Sequence, residues 1–200
     1  MLAQVRGKIL GTTNYAKPPR RWREDLDFVL IPRPVLGRRI RELARQIESD
    51  YRGRDLVIVS LLTGTVMFLA DLIRSINLPL RLDFIGVSSY RDGVKAQKLY
   101  FTKELRLDVR NRDVLIVDDI LDTGRTVKAV LARLKKLKPA SIRTCVLLNK
   151  ASRREVKIEA DYAGFEIPNF FVVGYGLDFA ERYRNLPFVG VLKPSLYEDP

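Results

Sequence analysis

The amino-acid sequence predicts an α/β fold in which a mostly parallel, twisted sheet is flanked by helices. Apolar runs of strand length, such as 55–62, 113–117 and 141–149, alternate with segments whose apolar residues recur at helical spacing. The apolar runs are nearly continuous, as expected for strands that are covered on both faces. Strands that alternate with helices favour a parallel sheet with helices on both sides.

Two helices and two strands are predicted in the first half of the chain, after an irregular basic segment at 1–24. The first helix runs from Pro34 to about Ser49, and a strand from Asp55 to Leu62 follows it. Thr63, Gly64 and Thr65 form a turn into the second helix, which precedes a strand from Leu80 to Ser88. The apolar stripes of the two helices are Leu36, Ile40, Leu43, Ala44 and Ile47, and then Val66, Leu69, Ala70, Ile73 and Ile76.

A long polar segment interrupts this pattern between Ser89 and about Arg112. It contains SSYRDGVKAQK and has little apolar periodicity, which is typical of a functional lid or a disordered loop. LYFT at 99–102 is the part that could pair as an edge hairpin.

The second half resumes with a strand at Asp113–Val117, a helix from about Gly124 to Lys138 and a strand at Ser141–Asn149. Two short strands are predicted later, at Phe170–Tyr175 and Phe188–Leu192. The buried stripe of the helix is predicted to be Val127, Val130, Leu131, Leu134 and Leu137.

The whole chain, 1–200, is expected to form a single domain, because it contains no repeat, low-complexity tract or interdomain linker. The core of this domain spans about 34–160. The less regular tail, 161–200, is expected to combine with 1–33 in a small hood lobe over one edge of the sheet.

The composition excludes several classes of protein. Apolar residues make up 46% of the chain, enough for a core, and no apolar run reaches the roughly 18 residues that span a bilayer. The start of the sequence shows no signal-peptide pattern. The single Cys145, expected to be a small core residue, suits a reducing cytoplasm. Because the chain has no histidine, acid–base chemistry must use carboxylates, lysine or tyrosine, and a metal would be a hard, oxygen-bound ion.

The formal net charge of +12 indicates an affinity for polyanions, such as nucleic acid, phosphorylated metabolites or an anionic surface. A solvated basic surface without a partner explains the same charge equally well. The positive residues cluster in KPPRRWR at 17–23 and at Arg38, Arg39, Arg41 and Arg45.

In the stretch VLIVDDILDTGRT at 114–126, three carboxylates and a Thr-Gly turn closely follow the apolar residues of a predicted buried strand. In open α/β sheets, ligands bind beyond the carboxyl ends of the strands, where Asp118 and Asp119 are expected. Gly124 allows a tight turn, and the N–H groups at the start of the next helix form a phosphate cradle. An aspartate can instead simply cap a helix, but three of them beside Thr-Gly predict a site for a phosphorylated sugar and hydrated Mg²⁺.

This stretch resembles, over all thirteen residues, the motif with which type I phosphoribosyltransferases bind phosphoribosyl pyrophosphate (PRPP). The family more often has Glu-Asp where this chain has Asp118-Asp119. The segments 55–76, 83–90, 147–152 and 165–194 are similar, in that order, to hypoxanthine-guanine phosphoribosyltransferases. The resemblance implies the type I phosphoribosyltransferase fold and transfer of the 5-phosphoribosyl group to hypoxanthine or guanine, which forms IMP or GMP and releases pyrophosphate.

The resemblance also implies roles for residues that bind PRPP. Asp118 and Asp119 match residues that contact the ribose hydroxyls and Mg²⁺, and Asp178 matches a further metal ligand near the base. Arg184 and the turn Thr63-Gly64 match the pyrophosphate site. The 5′-phosphate loop corresponds to Asp122, Thr123, Gly124, Arg125 and Thr126.

For the purine, Asp122 matches the proposed general base near N7. Lys150 matches a donor to the 6-oxo group, which would disfavour adenine. Phe171 matches the aromatic residue that stacks on the base, and the Val172 backbone would hydrogen-bond its edge. Ser89 and Tyr90 begin a segment that resembles the mobile catalytic loop, whose closure would exclude water.

Two features depart from the family. The turn after the first strand usually reads Leu-Lys-Gly-Gly or Leu-Lys-Gly-Ala, whereas here Thr63 replaces the lysine, so pyrophosphate binding is expected to be weakened or altered. The loop RDGVKAQKLYFTKEL at 91–105 replaces a sequence rich in glycine and serine.

Two alternative functions remain open at this point. One is a regulator that uses the phosphoribosyltransferase fold to bind RNA, which the net charge favours and the purine-pocket residues oppose. The other is a transferase that prefers xanthine or another base. The family resemblance implies a homodimer or homotetramer, and neither a membrane nor a nucleic-acid partner is expected.

Overall fold

The computed structural model describes residues 15–90 and 98–197 of the chain. Within these ranges the helices are α1 (Arg33–Tyr51), α2 (Val66–Ser75) and α3 (Arg125–Lys135). The strands are β1 (Leu26–Ile31), β2 (Leu56–Leu62), β3 (Arg81–Tyr90), β4 (Lys98–Lys103), β5 (Asp113–Leu121), β6 (Ser141–Asn149), β7 (Tyr162–Glu166), β8 (Val172–Val173) and β9 (Val189–Leu192).

The main sheet has six strands in the order β4-β3-β2-β5-β6-β7. All neighbours are parallel except β3 and β4, which pair antiparallel at one edge. The LYFT stretch forms this edge strand, as predicted. The predicted fold class, a mostly parallel sheet flanked by helices, is confirmed.

The central strands are covered on both faces, which explains their continuous apolar sequences. Leu56 and Ile58 of β2 lie in the larger core with α1 and α2, whereas Val57 and Val59 lie in a second core with α3. Side chains alternate across a strand, so an apolar residue at every position serves both cores. Cys145 of β6 is fully buried, as expected.

The predicted stripe of α1 is confirmed, because all five of its residues are buried. The stripe predicted for α2 is partly wrong, since Val66 is 40% exposed and Ala70 is also exposed. Phe68 and Leu72 are buried instead. This helix is apolar on several sides, and the face with the larger side chains turns inward because it buries more surface.

The predicted end of α3 is also wrong, because the helix stops at Lys135 and Leu137 lies beyond it, 41% exposed. None of the helices within 15–90 and 98–197 is both long and apolar enough to cross a lipid bilayer.

A second, antiparallel sheet joins the two ends of the chain in the order β1-β9-β8. One face of it packs on the larger core through Phe28, Val172 and Val191, and the other forms a separate cluster around Leu26 and Phe188. The sequence did not predict β1, and the strand predicted at Phe170–Tyr175 is reduced to two residues. We call this second sheet the hood lobe, after the lobe that the sequence predicts from 1–33 and 161–200.

Two further differences concern the main sheet. Strand β7, at 162–166, was not predicted and adds a parallel neighbour to β6 beyond the expected core boundary near 160. Strand β5 continues to Leu121 rather than ending at Val117, so Asp118 and Asp119 belong to the strand itself.

Candidate active site

A cavity of about 350 Å³ opens at the carboxyl ends of β2 and β5. Parallel strands direct their carboxyl ends to the same edge, so the segments that follow them meet there. The β5 side of the cavity is lined by Asp118, Asp119, Asp122, Thr123, Gly124 and Thr126. Six of the residues predicted to bind PRPP therefore share one cavity.

The opposite wall comes from the turn after β2 and from the C-terminal segment. Thr63 and Gly64, the predicted pyrophosphate turn, line the cavity together with Asp178 and Arg184. The peptide bond between Leu62 and Thr63 is cis. A Cβ atom at Gly64 would overlap the Oδ2 atom of Asp119, so the absence of a side chain is required for this close approach.

The carboxylates of Asp118 and Asp119 are held by hydrogen bonds from a neighbouring side chain and from the backbone. The Thr65 hydroxyl donates to Asp118 Oδ1 at 3.2 Å, and the Asp119 N–H donates to the same atom at 3.0 Å. The Ile120 N–H donates to Asp119 Oδ1 at 2.9 Å. These bonds fix both side chains at the cavity.

The surroundings of both carboxyls disfavour their charged forms. Burial raises the pKa of Asp118 well above its ordinary value, and the neighbouring Asp119 charge adds to the rise. Burial also raises the pKa of Asp119, while its hydrogen bond with Asp118 and the Arg184 charge oppose the rise. A cation or a set of hydroxyl donors beside them would stabilise their charged forms.

The donor set fits Mg²⁺ bound together with a substrate. No group of three or more acidic, histidine or cysteine side chains within 15–90 and 98–197 is arranged to hold a metal by itself. Mg²⁺ usually takes one or two carboxylates and completes its oxygen shell with water and substrate phosphates. Asp118 and Asp119 provide such a pair.

The turn between β5 and α3 has the geometry of an anion site. Gly124 has φ +83°, in the left-handed region, and a Cβ there would lie 2.9 Å from Val156 Cγ2. Helix α3 begins at Arg125, and its first N–H groups have no partner within the helix. Thr126 and Val127 of this first turn line the cavity, so the positive end of the helix faces it.

The side chain of Arg125, which belongs to the same loop, does not face the cavity. Its guanidinium pairs with Glu155 at 2.6 Å, both side chains are nearly half exposed, and it does not line the cavity. Only its backbone N–H, 3.4 Å from Thr123 Oγ1, belongs to the turn.

Asp122 lies between two cations. Its Oδ2 atom is 3.7 Å from Lys150 Nζ, and its Oδ1 atom is 3.2 Å from Arg153 Nε. Oδ1 is buried and accepts no hydrogen bond from the part of the chain that the structure describes. Lys150 is only 6% exposed, and burial lowers its pKa, an effect that the Asp122 charge opposes. The predicted base and the predicted purine donor are thus neighbours.

Arg154 is a residue of this site that the sequence analysis missed. Its guanidinium donates to the Leu121 carbonyl at 2.9 Å, to the Asp122 carbonyl and to the Asn149 side-chain oxygen. The Glu155 N–H donates to the Thr123 carbonyl at 3.0 Å. The segment after β6 therefore supports the loop after β5, and the only sequence signal was that the two strands are neighbours in a parallel sheet.

Asp178 and Arg184 are paired with each other. Arg184 Nη1 lies 2.9 Å from Asp178 Oδ1 and donates to the Gly176 carbonyl at 3.0 Å. Its Nη2 atom lies 3.0 Å from Glu181 Oε2. The predicted metal ligand and the predicted pyrophosphate-binding residue thus form one ion pair on the cavity wall.

Phe171, Val172 and Lys150 do not line this cavity. Phe171 lies in the hood lobe, stacked on Tyr197 at 4.6 Å between ring centroids and edge-on to Phe179 at 5.5 Å. Val172 is buried in β8 and pairs with Val191 of β9. The structure thus brings together the predicted phosphate and ribose residues, and leaves Phe171 and Val172 outside their cavity.

Ser89 and Tyr90 end β3 and pair with Leu99 and Lys98 of β4. The rest of the predicted mobile loop, 91–97, lies outside the described residues.

A family model described as a phosphoribosyl transferase domain matches residues 32–180. Hypoxanthine-guanine phosphoribosyltransferase of Staphylococcus aureus is 44% identical over 176 residues, which cover 88% of this chain and 98% of that protein. The bifunctional protein TilS/HprT of Listeria monocytogenes is 45% identical over 176 residues, but this chain spans only 27% of its length.

Solved structures agree with the sequence comparison. A hypoxanthine phosphoribosyltransferase from Staphylococcus aureus superposes with a TM-score of 0.86 at 42% identity, covering 92% of this chain and all of that one (100%). A hypoxanthine-guanine phosphoribosyltransferase from Bacillus anthracis superposes with a TM-score of 0.79 at 39% identity, covering 84% of this chain and 98% of that one. This chain belongs to the phosphoribosyltransferase family, among the hypoxanthine-guanine phosphoribosyltransferases.

Proposed function

We propose that this protein transfers the 5-phosphoribosyl group of PRPP to a 6-oxopurine, hypoxanthine or guanine, and so forms IMP or GMP in purine salvage. The observation that carries the proposal is the single cavity in which Asp118, Asp119 and the start of α3 face Gly64 and Arg184. Such a cavity offers acceptors for ribose hydroxyls beside donors for phosphate groups. The relatives described above act, by their names, on the same bases.

PRPP would bind with its 5′-phosphate at the N–H groups of the first turn of α3, next to the hydroxyls of Thr123 and Thr126. Asp118 and Asp119 would accept hydrogen bonds from the ribose hydroxyls. The pyrophosphate would lie against the backbone of Thr63-Gly64, with Arg184 as its cation. For that, Arg184 must exchange its bonds to Asp178 and Glu181 for bonds to the ligand.

Asp118, Asp119 and Asp178 would hold Mg²⁺, which supplies positive charge to the departing pyrophosphate when it is bound. The residues of this chain would contribute by holding PRPP, the phosphoribosyl donor, in position. Asp119 is held between Gly64 and the Ile120 N–H, so little reorganisation is required of it.

In the transfer, the bond between the anomeric carbon and the pyrophosphate oxygen breaks, and a bond from that carbon to a purine nitrogen forms. Asp122 would take or hold the proton at N7 of the base, because its Oδ1 atom is buried without a hydrogen-bond partner in 15–90 and 98–197. Lys150, a neighbour of Asp122, would donate to the 6-oxo group. An adenine amino group cannot accept this hydrogen bond, so the base preference follows.

The base itself would stack on Phe171 and bond to the Val172 backbone, as the family resemblance implies. Because these residues lie outside the cavity, the purine pocket would form between the hood lobe and Lys150. The segment from Ser89 and Tyr90 would close over the reacting groups and exclude water from the ribosyl cation.

We also propose that the enzyme is a homodimer or homotetramer of the cytoplasm. Leu62 and Val66, beside the mouth of the cavity, are 37% and 40% exposed, and clustered apolar side chains of this size mark association surfaces. Sedimentation equilibrium tests the oligomer, and a monomer at micromolar concentration would contradict it. The single buried thiol suits a reducing compartment.

A steady-state screen of purine bases with PRPP and Mg²⁺, following pyrophosphate release, tests the proposed function. We expect turnover with hypoxanthine and guanine, and rates for adenine and pyrimidines at least about a hundredfold lower, because a missing acceptor leaves the buried Lys150 unpaired. The screen also gives the relative use of xanthine. Absence of turnover with every oxopurine, together with no PRPP binding by calorimetry, would refute the proposal.

A further inference from the structure

A second cavity, of about 870 Å³, lies between the N-terminal half of α1, helix α2 and the turn at 185–187. It shares no lining residue with the cavity that holds Asp118 and Asp119. Four arginines and a single carboxylate, that of Asp71, line it, so positive charge exceeds negative charge by three. The arginines are Arg33, Arg38, Arg41 and Arg74. We call this cavity the arginine groove.

The charge of the arginine groove is not neutralised by the protein. Arg33, Arg38 and Arg41 are exposed, and none has a carboxylate partner within residues 15–90 and 98–197. Other arginines of the chain are used differently: Arg39, for example, pairs with Glu42 at 3.0 Å and donates to the Gly164 carbonyl at 2.8 Å. Within the described residues, other arginines without a carboxylate partner, such as Arg45 and Arg52, lie outside the groove, and Arg33, Arg38 and Arg41 are the three that line one cavity together.

The carboxylate of Asp71 already has partners within the protein. It accepts a hydrogen bond from the Tyr175 hydroxyl and pairs with Arg74. Burial and Asp71 raise the pKa of Tyr175, and the charges of Arg74 and Arg33 oppose that rise, which indicates that both guanidiniums act on the same hydroxyl. No negative charge of the lining is left to balance Arg33, Arg38 and Arg41.

Gly37 lines the groove without a side chain. Arg33, Gly37 and Arg41 follow each other at four-residue spacing, so they lie in one row along α1. A Cβ at Gly37 would have a single neighbour within 4 Å, the Arg41 Nη1 atom at 3.5 Å. Glycine weakens a helix interior relative to alanine, and nothing in the packing requires it here. The missing side chain at Gly37 leaves space in the groove next to the Arg41 guanidinium.

We propose that the arginine groove binds a chain of linked phosphates, either free polyphosphate or the triphosphate of a nucleotide. The planar guanidinium matches phosphate oxygens with two parallel hydrogen bonds, and three such groups without partners suit several adjacent phosphates. The cavity volume lies within the roughly 300–1,000 Å³ typical of small-molecule sites. The ligand supplies the negative charge that the lining lacks.

Calorimetry with inorganic tripolyphosphate on the full chain tests the proposal. The double variant Arg38→Gln/Arg41→Gln should bind one equivalent fewer than the wild type, or bind that equivalent at least about tenfold more weakly, because two charge-assisted contacts are lost. Gly37→Leu, which fills the groove and leaves every charge in place, should lose the same equivalent. Arg45→Gln/Arg52→Gln makes an equal change of charge outside the groove and should bind as the wild type does.

Phosphoribosyl transfer at saturating substrate should be unchanged in all three variants, so a defect in folding or in the proposed function is separately visible. Unaltered tripolyphosphate binding in the groove variants, or an equal loss in the control, would overturn the proposal. So would a site that takes a single-stranded oligonucleotide or an acidic peptide but no tripolyphosphate. Tighter binding of ATP than of tripolyphosphate at this site would support it and identify the nucleotide as the source of the phosphates.

Discussion

Replacing Arg154 by alanine should impair the loop that carries Asp122 without removing a group that contacts the substrate. The guanidinium donates to the carbonyls of Leu121 and Asp122, at 2.9 Å for the first of these. Hydrogen bonds from charged donors contribute about 1.5–3 kcal/mol each. Arg154 is half-buried, and the Lys150 N–H still donates to the Leu121 carbonyl at 3.0 Å, so water and this second donor offset part of the loss. We expect a net loss of about 2–3 kcal/mol in the ordering of the loop.

If catalysis depends on that ordering, kcat/KM for PRPP falls by about 30- to 150-fold, since each 1.4 kcal/mol corresponds to a factor of about ten. The assay is pyrophosphate release at saturating hypoxanthine with varied PRPP. Arg154→Lys keeps the positive charge on a single donor nitrogen and should restore part of the activity. A purely structural role would instead lower thermal stability in both variants and leave kcat/KM of the folded fraction unchanged.

Arg133→Ala is the matched control on the neighbouring helix. Its guanidinium pairs with Glu104 and lies 5.7 Å from the centroid of the Phe101 ring, and the Arg133 and Glu104 side chains are 46% and 52% exposed, so an effect of less than about twofold is expected. A kcat/KM for Arg154→Ala within about threefold of this control would refute the positioning role.

Four further predictions follow from the site and its surroundings. Asp122→Asn should lower turnover by about 10²- to 10⁴-fold without changing the thermal midpoint; turnover at the wild-type rate would exclude Asp122 as the base. Lys150→Ala should reduce the preference for hypoxanthine over adenine in competition assays, and an unchanged ratio of rates would contradict the donor role. Gly124→Ala should destabilise the chain by at least about 1–2 kcal/mol in urea titrations, because alanine resists a φ of +83° and its Cβ would press on Val156; equal stability would be inconsistent with this geometry. Burial and the hydrogen bond to Asp50 raise the pKa of Tyr162 to about 12, so the folded state holds this proton more tightly than the unfolded state. Stability present below pH 10 should therefore be lost as the pH rises towards 12, by about 1 kcal/mol at pH 11, and Tyr162→Phe should lack this component in denaturation curves at pH 9 and 11.

The main sheet and the turn between β5 and α3 could be predicted because their signals are local. Val114 to Val117 are apolar at every position, and the acidic residues and Gly124 follow within a few residues. The residues that indicate the strand, the turn and the start of the helix therefore all lie within one short stretch. Such signals do not depend on the rest of the chain.

Features that depend on distant partners were missed or misplaced. Strand β1 pairs with β9, more than 150 residues later, and its short apolar run FVLI at 28–31 was not used as a strand signal because it follows an irregular basic segment. The inward face of α2 is decided by the shape of the core, since both Ala70 and Phe68 lie on apolar stripes of the sequence. The bonds of Arg154 depend on the neighbouring positions of β5 and β6, which only the sheet order reveals.

The contact between Gly64 and Gly176 links the sheet to the hood lobe through backbone alone. A Cβ at Gly176 would overlap the Gly64 carbonyl oxygen, and a Cβ at Gly64 would lie 3.6 Å from the Gly176 carbonyl oxygen while overlapping Asp119. Backbone atoms in such contact cannot yield by changing rotamer, as a long side chain can. A shift of the 174–177 segment would therefore move Gly64 and, through it, Asp119, so that the proposed purine and PRPP sites would be mechanically coupled.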